Sequence, residues 1–354
     1  MKNLVSVLRR VGKPPRVFTA VDGARMVVLP YGGRVLGLFT PRSGENIYWT
    51  HPALRSVKTA RAFYASTAWH NSGGDRTWIA PEVDVFLPGF PALERHEQQR
   101  ALDPGHYRVT ESRGGFRLEN RFRLRLSRLR TDVGLKITKS FGWAPNPLRH
   151  ERGLDLSGVE YAGYSQRTSL EITGTRPPTK AQVGLWSLLQ LPHGGDLLLP
   201  TFSRHEPLHI FSTVGAIPSA DLIVREHLVR YRMRQKGEHK ISLRAAHMTG
   251  RAGYLHRTGS RWSLVIRNFV LNPSGEYVDV PWKGPVWLGF AVQACNVNSG
   301  LGAFSELEYH VPAIGYNTGC VRCDDTTQVW AFRGPKAPIL TIAHVLLTGK
   351  GFAL

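Results

Sequence analysis

Phe116-Arg117-Leu118-Glu119-Asn120-Arg121-Phe122-Arg123-Leu124-Arg125-Leu126 is the stretch on which the fold reading turns. In an extended chain Phe116, Leu118, Phe122, Leu124 and Leu126 fall on one face. Arg117, Glu119, Arg121, Arg123 and Arg125 fall on the other. Nearly perfect period two, with Asn120 the polar exception on the apolar face, excludes a helix, which would scatter both sets around its circumference. Val133 to Phe141 continues the pattern and predicts a hairpin partner. Similar short pieces recur along the chain: Arg25 to Leu29, Arg34 to Phe39, Leu170 to Thr173, Val183 to Leu191, Asp196 to Leu199, Leu208 to Thr213 and Leu222 to Met233. Lys240 to Met248, Trp262 to Leu271, Val286 to Val292, Ala303 to Val311, Gln328 to Phe332 and Ile339 to Leu347 complete the set. Turn residues such as Gly194-Gly195, Lys236-Gly237 and Asn272-Pro273-Ser274-Gly275 separate them. Asp84 to His106 is rich in proline and reads as loop, with at most one helical turn around Glu94 to Arg100. No 3.6-residue period is sustained, so the chain is expected to be all-β, a sandwich or barrel. Residues 1–24 read as an N-terminal arm and 25–354 as a single domain, because no linker divides them.

Composition narrows the function classes. The 354 residues are 42% hydrophobic and 20% charged, an ordinary globular balance, and the 36 glycines and 23 prolines suit many turns. Met1 to Pro15 is basic and only patchily apolar, without the continuous apolar core of a signal peptide. No run is long enough to span a bilayer, so the expected location is the cytoplasm. The formal charge of +20 invites a nucleic-acid reading. The cations are mostly arginines scattered through alternating strands, and no recognition motif accompanies them, which disfavours it. An acidic sugar gripped by arginine is a second account of the surplus. Three cysteines, Cys295, Cys320 and Cys323, do not make a disulfide framework. Cys320-Val321-Arg322-Cys323 is one C-x-x-C, with only Cys295 and His310 to complete a zinc site; no metal and no cofactor are assigned.

The chemistry-bearing stretch is Ala303-Phe304-Ser305-Glu306-Leu307-Glu308-Tyr309-His310-Val311-Pro312. As a strand it places Phe304, Glu306, Glu308 and His310 on one face and Leu307, Tyr309 and Val311 on the other. Two carboxylates and an imidazole in a row can make an acid/base site, since neighbours tune such groups around neutrality. Earlier, His70-Asn71 precede the bend Ser72-Gly73-Gly74, and Asp75-Arg76-Thr77-Trp78 follow it. Arg76 is positioned to grip hydroxyls or a carboxylate, with a salt bridge to Asp75 or Glu82 as the competing use. Trp49, Trp78 and Trp186 could each stack on a sugar face or fill the core.

The order of these features resembles the galactose mutarotase-like superfamily, the aldose 1-epimerases and their relatives, over roughly Arg25 to Leu347. It rests on Gly32-Gly33-Arg34-Val35-Leu36, Asn46-Ile47-Tyr48-Trp49, Gly73 to Trp78, Trp186-Ser187-Leu188-Leu189-Gln190, and Glu306-Leu307-Glu308 ahead of Pro312. The resemblance implies a β-supersandwich of large, mostly antiparallel sheets with a sugar site on a concave face. It implies that Glu308 is the general base acting on the anomeric hydroxyl, with Glu306 beside it. His70 is the nearest match to one epimerase histidine. The mid-chain histidine that donates to the ring oxygen has no counterpart in Trp186 to Gln190; His193 is nearest. The reading is a sugar-active enzyme on a mono- or oligosaccharide, an acidic one included. Glu308, Glu306, His70 and His193 are its catalytic candidates; Arg76, Asp75, Asn71, Trp78, Trp186, Gln190 and His310 are its binding candidates. A non-catalytic carbohydrate-binding module and a basic nucleic-acid-associated protein are the alternatives.

Overall fold

The computed structural model describes residues 1–92, 94–112, 115–174, 180–280 and 289–348. Long alternating strands pair into two ten-stranded sheets, and every pairing among the described residues is antiparallel. The first sheet runs Arg16–Thr19, Arg25–Leu29, Arg34–Phe39, Asp75–Ala80, Gln182–Pro192, Gly302–His310, Val292–Ser299, Gly237–Leu243, Leu208–Ser212, with Ile314–Gly315 added beside Gln182–Pro192. The second runs Leu222–Val224, Leu228–Arg232, Asp196–Pro200, Arg251–Thr258, Arg261–Phe269, Arg322–Gly334, Glu160–Thr173, Thr131–Trp143, Gly115–Leu126, Arg108–Ser112. The expected all-β sandwich of large antiparallel sheets is what forms. Gly115–Leu126 and Thr131–Trp143 make the expected hairpin, with Phe116 opposite Phe141.

Two apolar clusters hold the sheets together; the smaller joins Ile79, Val183 and Leu185 of the first sheet to Leu124, Leu135 and Leu170 of the second. In the larger, Met26, Val28, Leu189, Leu307 and Tyr309 of the first sheet pack with Leu118, Val229, Tyr254, Val265 and Val329 of the second. Period two therefore sends the opposite side chains of the first sheet outward, away from its partner. Helices cover one half of that outward face. Lys2–Arg10 buries Val7 and Leu8 against Leu29, Leu36, Leu54 and Ala60, and Val57–Ala65 packs beside it, capped by the Ser56 hydroxyl on the Thr59 N–H. Residues 1–24, read as an N-terminal arm, lie against the first sheet. Their helix and the edge strand Arg16–Thr19, paired with Arg25–Leu29, are part of the sheet's architecture.

The last expected strand does not form. Ile339 to Leu347 is helical, as Lys336–Ala343 with a wider turn at His344–Thr348. Ile339, Ile342, Ala343, Leu346 and Leu347 bury together against Leu264, Ile266, Trp330 and Phe332. That 3.6-type spacing lies within a run apolar on every side, where periodicity distinguishes little. Glu94 to Arg100 is loop, one of the two readings given it, and a short helix lies before it at Glu82–Val85. Of the piece Val286 to Val292, residues 286–288 lie outside the described residues, and the strand begins at Val292. No described helix is long and apolar enough to cross a membrane.

Charge also enters the space between the sheets. Asp75, fully buried, accepts from Arg267 Nη2 at 2.6 Å and from the Tyr164 hydroxyl at 2.6 Å. Removing one member leaves the other uncompensated in a low dielectric, which costs about 3–5 kcal/mol. Asp75→Ala is expected to lose that much in urea unfolding, and Asp75→Ala with Arg267→Met to recover part of it. A loss below about 1 kcal/mol would show the pair to be dispensable.

Candidate functional site

The uncovered half of the outward face carries the cleft. Its floor is built by register, row by row across neighbouring strands. Trp78, Trp186 and His310 form one row; Arg76, Leu188, Glu308 and Gln293 the next. Gln190, Glu306, Cys295 and Lys240 form a third, and Phe304, Val297 and Glu238 a fourth. The cleft encloses about 260 Å³ and is walled by Trp69, Trp78, Trp186, Phe211 and Phe304, with His96 and Gln98 reaching in from the loop after Glu82–Val85. That volume lies just under the about 300–1,000 Å³ typical of drug-sized ligands. It suits a compact ligand better than an extended one.

The two glutamates have different surroundings. Glu306 Oε1 accepts from Arg76 Nη2 at 2.9 Å and from Gln190 Nε2 at 3.0 Å. Arg76 is in turn held by Asn71 Oδ1 at 3.3 Å and lies over the Trp78 ring at 4.1 Å. Glu308 Oε2 accepts from Trp186 Nε1 at 2.8 Å and sits 3.4 Å from Lys240 Nζ. Its other oxygen, Oε1, is buried and has no hydrogen-bond partner among the described residues. Burial, with Glu306 and Glu82 adding repulsion, pushes the Glu308 carboxyl up to about 8 despite the opposing pull of Lys240 and the Trp186 N–H.

Lys240 ties this group to a second acidic pair. Its ammonium lies 3.2 Å from Glu82 Oε2 and 4.3 Å from the centre of the Trp186 ring. Burial works against its charge, but Glu308, Glu82 and Asp279 together outweigh it and hold its pKa above the ordinary lysine value. Asp279, behind the cleft, accepts from the Glu82 N–H and from Gln293 Nε2; burial raises it to about 6. His96 Nε2 lies 3.4 Å from Glu82 Oε1. His96, Glu82, Lys240 and Glu308 thus form a continuous line of contacts, of which sequence reading singled out only the last as a site residue. Glu82 and His96 come from a proline-rich segment without periodicity. Lys240 lies in a strand of mixed composition, with Glu238, His239 and Ser242, which gives no signal that sets it apart.

The remaining candidates divide clearly. Glu308, Glu306, Arg76, Trp78 and Trp186 line the cleft. Gln190 and Asn71 stand behind it and orient Glu306 and Arg76. His310 is behind it too, stacked on Trp186 with Nε2 2.8 Å from Gln293 Oε1; burial holds it well below the ordinary histidine value, so it is neutral. Asp75 belongs to the core and pairs with Arg267, not with Arg76, because neighbours in a strand point to opposite faces. His70 is outside the cleft, between the Tyr31 hydroxyl and the Ser66 carbonyl. His193 faces the other side of the sheet, at 3.0 Å from Asn296 Oδ1. Trp49 packs on Phe304 from behind.

Cys295 is buried in the cleft floor, apart from Cys320 and Cys323 on the second sheet's side, so the C-x-x-C gains neither of its proposed partners. Cys295 Sγ and carboxylate oxygens of Glu306 and Glu308 do lie within 4.8 Å of one another. Arg76 lies against Glu306 and Lys240 against Glu308, and two fixed cations so close oppose a metal ion.

No family model matches the chain, and no curated protein matches it in sequence. Solved structures do resemble it. A galactose mutarotase related enzyme from Lactobacillus acidophilus aligns over 92% of this chain and 98% of its own, at 8% identity and a TM-score of 0.46. Galactose 1-epimerase from Lactobacillus acidophilus NCFM aligns over 91% and 95%, at 11% identity and a TM-score of 0.41. The 4-alpha-glucanotransferase from Thermococcus litoralis aligns over 91% of this chain but 40% of its own, at 9% identity and a TM-score of 0.37.

The Glu308 shift has a consequence for stability. Between its ordinary value of 4.5 and about 8 the folded chain holds a proton that the unfolded chain has released. This contribution is complete below 4.5 and is lost as pH rises through about 8, by about 1 kcal/mol per pH unit at most. Urea unfolding of wild type and Glu308→Gln across this range should show wild type losing ground steadily as pH rises. Parallel curves would mean that Glu308 is not protonated in the folded protein.

Proposed function

We propose that the chain binds a single pyranose in this cleft and exchanges protons at its anomeric centre, the chemistry of an aldose 1-epimerase. The observation that carries the reading is Glu308 Oε1, a buried carboxyl oxygen in the cleft without a protein partner. Leaving such an atom unpaired is costly unless a ligand uses it. The aromatic walls supply the flat surfaces on which the CH-rich faces of a sugar ring stack.

Ring opening needs a proton taken from the anomeric hydroxyl and another given to the ring oxygen. Environments that separate two neighbouring carboxyl groups assign such roles. Glu308, protonated near neutrality, donates to the ring oxygen as the bond from the anomeric carbon to that oxygen breaks. Glu306, steadied by Arg76 and Gln190, accepts the hydroxyl proton as the carbonyl forms. Rotation of the aldehyde and reversal of both transfers return the other anomer. The resemblance assigned Glu308 the base's role; its burial makes it the donor first and the base in the reverse step. A donor on the same strand also removes the need for the mid-chain histidine.

The test is anomer exchange followed by polarimetry and NMR over a panel of aldoses. Wild type should accelerate exchange, with activity declining above about pH 8 as Glu308 loses its proton. Glu308→Gln should lower the rate by about 10²–10⁴-fold while keeping sugar-induced shifts. Sugar binding without any exchange in wild type would make this a binding module. No response to any sugar would overturn the reading.

A further inference from the structure

The cleft's charges do not balance. Its lining holds four carboxylates, Glu82, Glu238, Glu306 and Glu308, against two cations, Arg76 and Lys240. Arg76 is engaged by Glu306, and Lys240 by Glu82 and Glu308. Glu238 stands one row beyond Lys240, in register with Val297 and Phe304, and is in no ion pair among the described residues. Its one described side-chain hydrogen bond is from the Ser299 hydroxyl to Oε1 at 2.6 Å. With Glu308 protonated, the negative charge left in the cleft is that of Glu238, at the end of the cleft formed by Phe211, Leu301 and Phe304.

We infer that the sugar this cleft selects carries a protonated amine, a hexosamine, and that Glu238 is its counterion. The inference rests on the sugar reading above and adds the substrate's charge. An ammonium group on the ring supplies the missing cation, and the aromatic side chains around it favour a cation over an anion. An acidic sugar meets the opposite situation, since both cleft cations are already occupied and a further carboxylate would add to the cleft's surplus of negative charge. A neutral hexose satisfies the stacking walls but brings no counterion to Glu238, whose described partner is the Ser299 hydroxyl.

The experiment is an NMR titration at about pH 6, where the sugar amine carries its proton. D-Glucosamine and D-galactosamine are compared with D-glucose, D-galactose, N-acetyl-D-glucosamine and D-glucuronate. The amines should bind about tenfold more tightly than the neutral hexoses, the worth of one charge-assisted hydrogen bond. Acetylation, which removes the charge, should abolish the advantage. In Glu238→Gln the ratio of amine to neutral affinity should fall to about one. Equal binding of glucose, glucosamine and its N-acetyl form by wild type overturns the inference and leaves the sugar reading standing. An amine preference that survives in Glu238→Gln overturns Glu238 as counterion. Failure of every sugar to bind removes both.

Discussion

The strand Gly302–His310 is pinned between Gln182–Pro192 and Val292–Ser299, and its two faces face opposite environments. Leu307 and Tyr309 lie in the apolar core between the sheets, so Glu306 and Glu308 have only one direction left. A one-residue slip would drive both carboxylates into that core and both apolar residues into the cleft, a change no rearrangement of loops could offset. The same alternation in the flanking strands brings Arg76, Trp186, Cys295 and Lys240 to the cleft side. The candidate site is therefore the polar consequence of how the sandwich core is packed.

Burying so many charges is tolerable because each lies against an opposite charge or a donor. Arg76 serves Glu306, Lys240 serves Glu308 and Glu82, and Arg34 grips Asp103 with two hydrogen bonds. Asp103 also accepts from the indole nitrogens of Trp69 and Trp78, which ties the aromatic wall to the same network. Hydrogen bonds and ion pairs of this kind fix the rotamers of the side chains that line the cleft. The cost is burial itself, which, with repulsion from neighbouring carboxylates added, raises Glu308 and Asp279 against the pull of Lys240.

The chain's overall charge of +20 contrasts with this acidic cleft. Lys2, Arg9, Arg10, Arg55, Lys58 and Arg61 are exposed on and beside the two helices that cover the other half of the sheet, and none is in an ion pair among the described residues. The surplus therefore says nothing of the cleft's ligand. Counting charges along a sequence sums over surfaces that never meet, whereas a ligand feels only those lining its own site.

Period two in Phe116 to Leu126 and in Ala303 to Val311 was sufficient to give strands, their inward faces, the all-β class and the pairing of Glu306 with Glu308, because strand geometry converts spacing directly into direction. It could not distinguish helix from strand in Ile339 to Leu347, where nearly every residue is apolar. Nor could it choose among histidines. His70, His193 and His310 were credible by position, yet the histidine in the cleft is His96, carried there by a loop whose path depends on contacts distant in sequence. Arg76 and Glu306 are 230 residues apart, and Lys240 and Glu82 are 158 apart. Local sequence determines which way a side chain points. Only the folded sheet, by setting strand order and register, decides what it meets there.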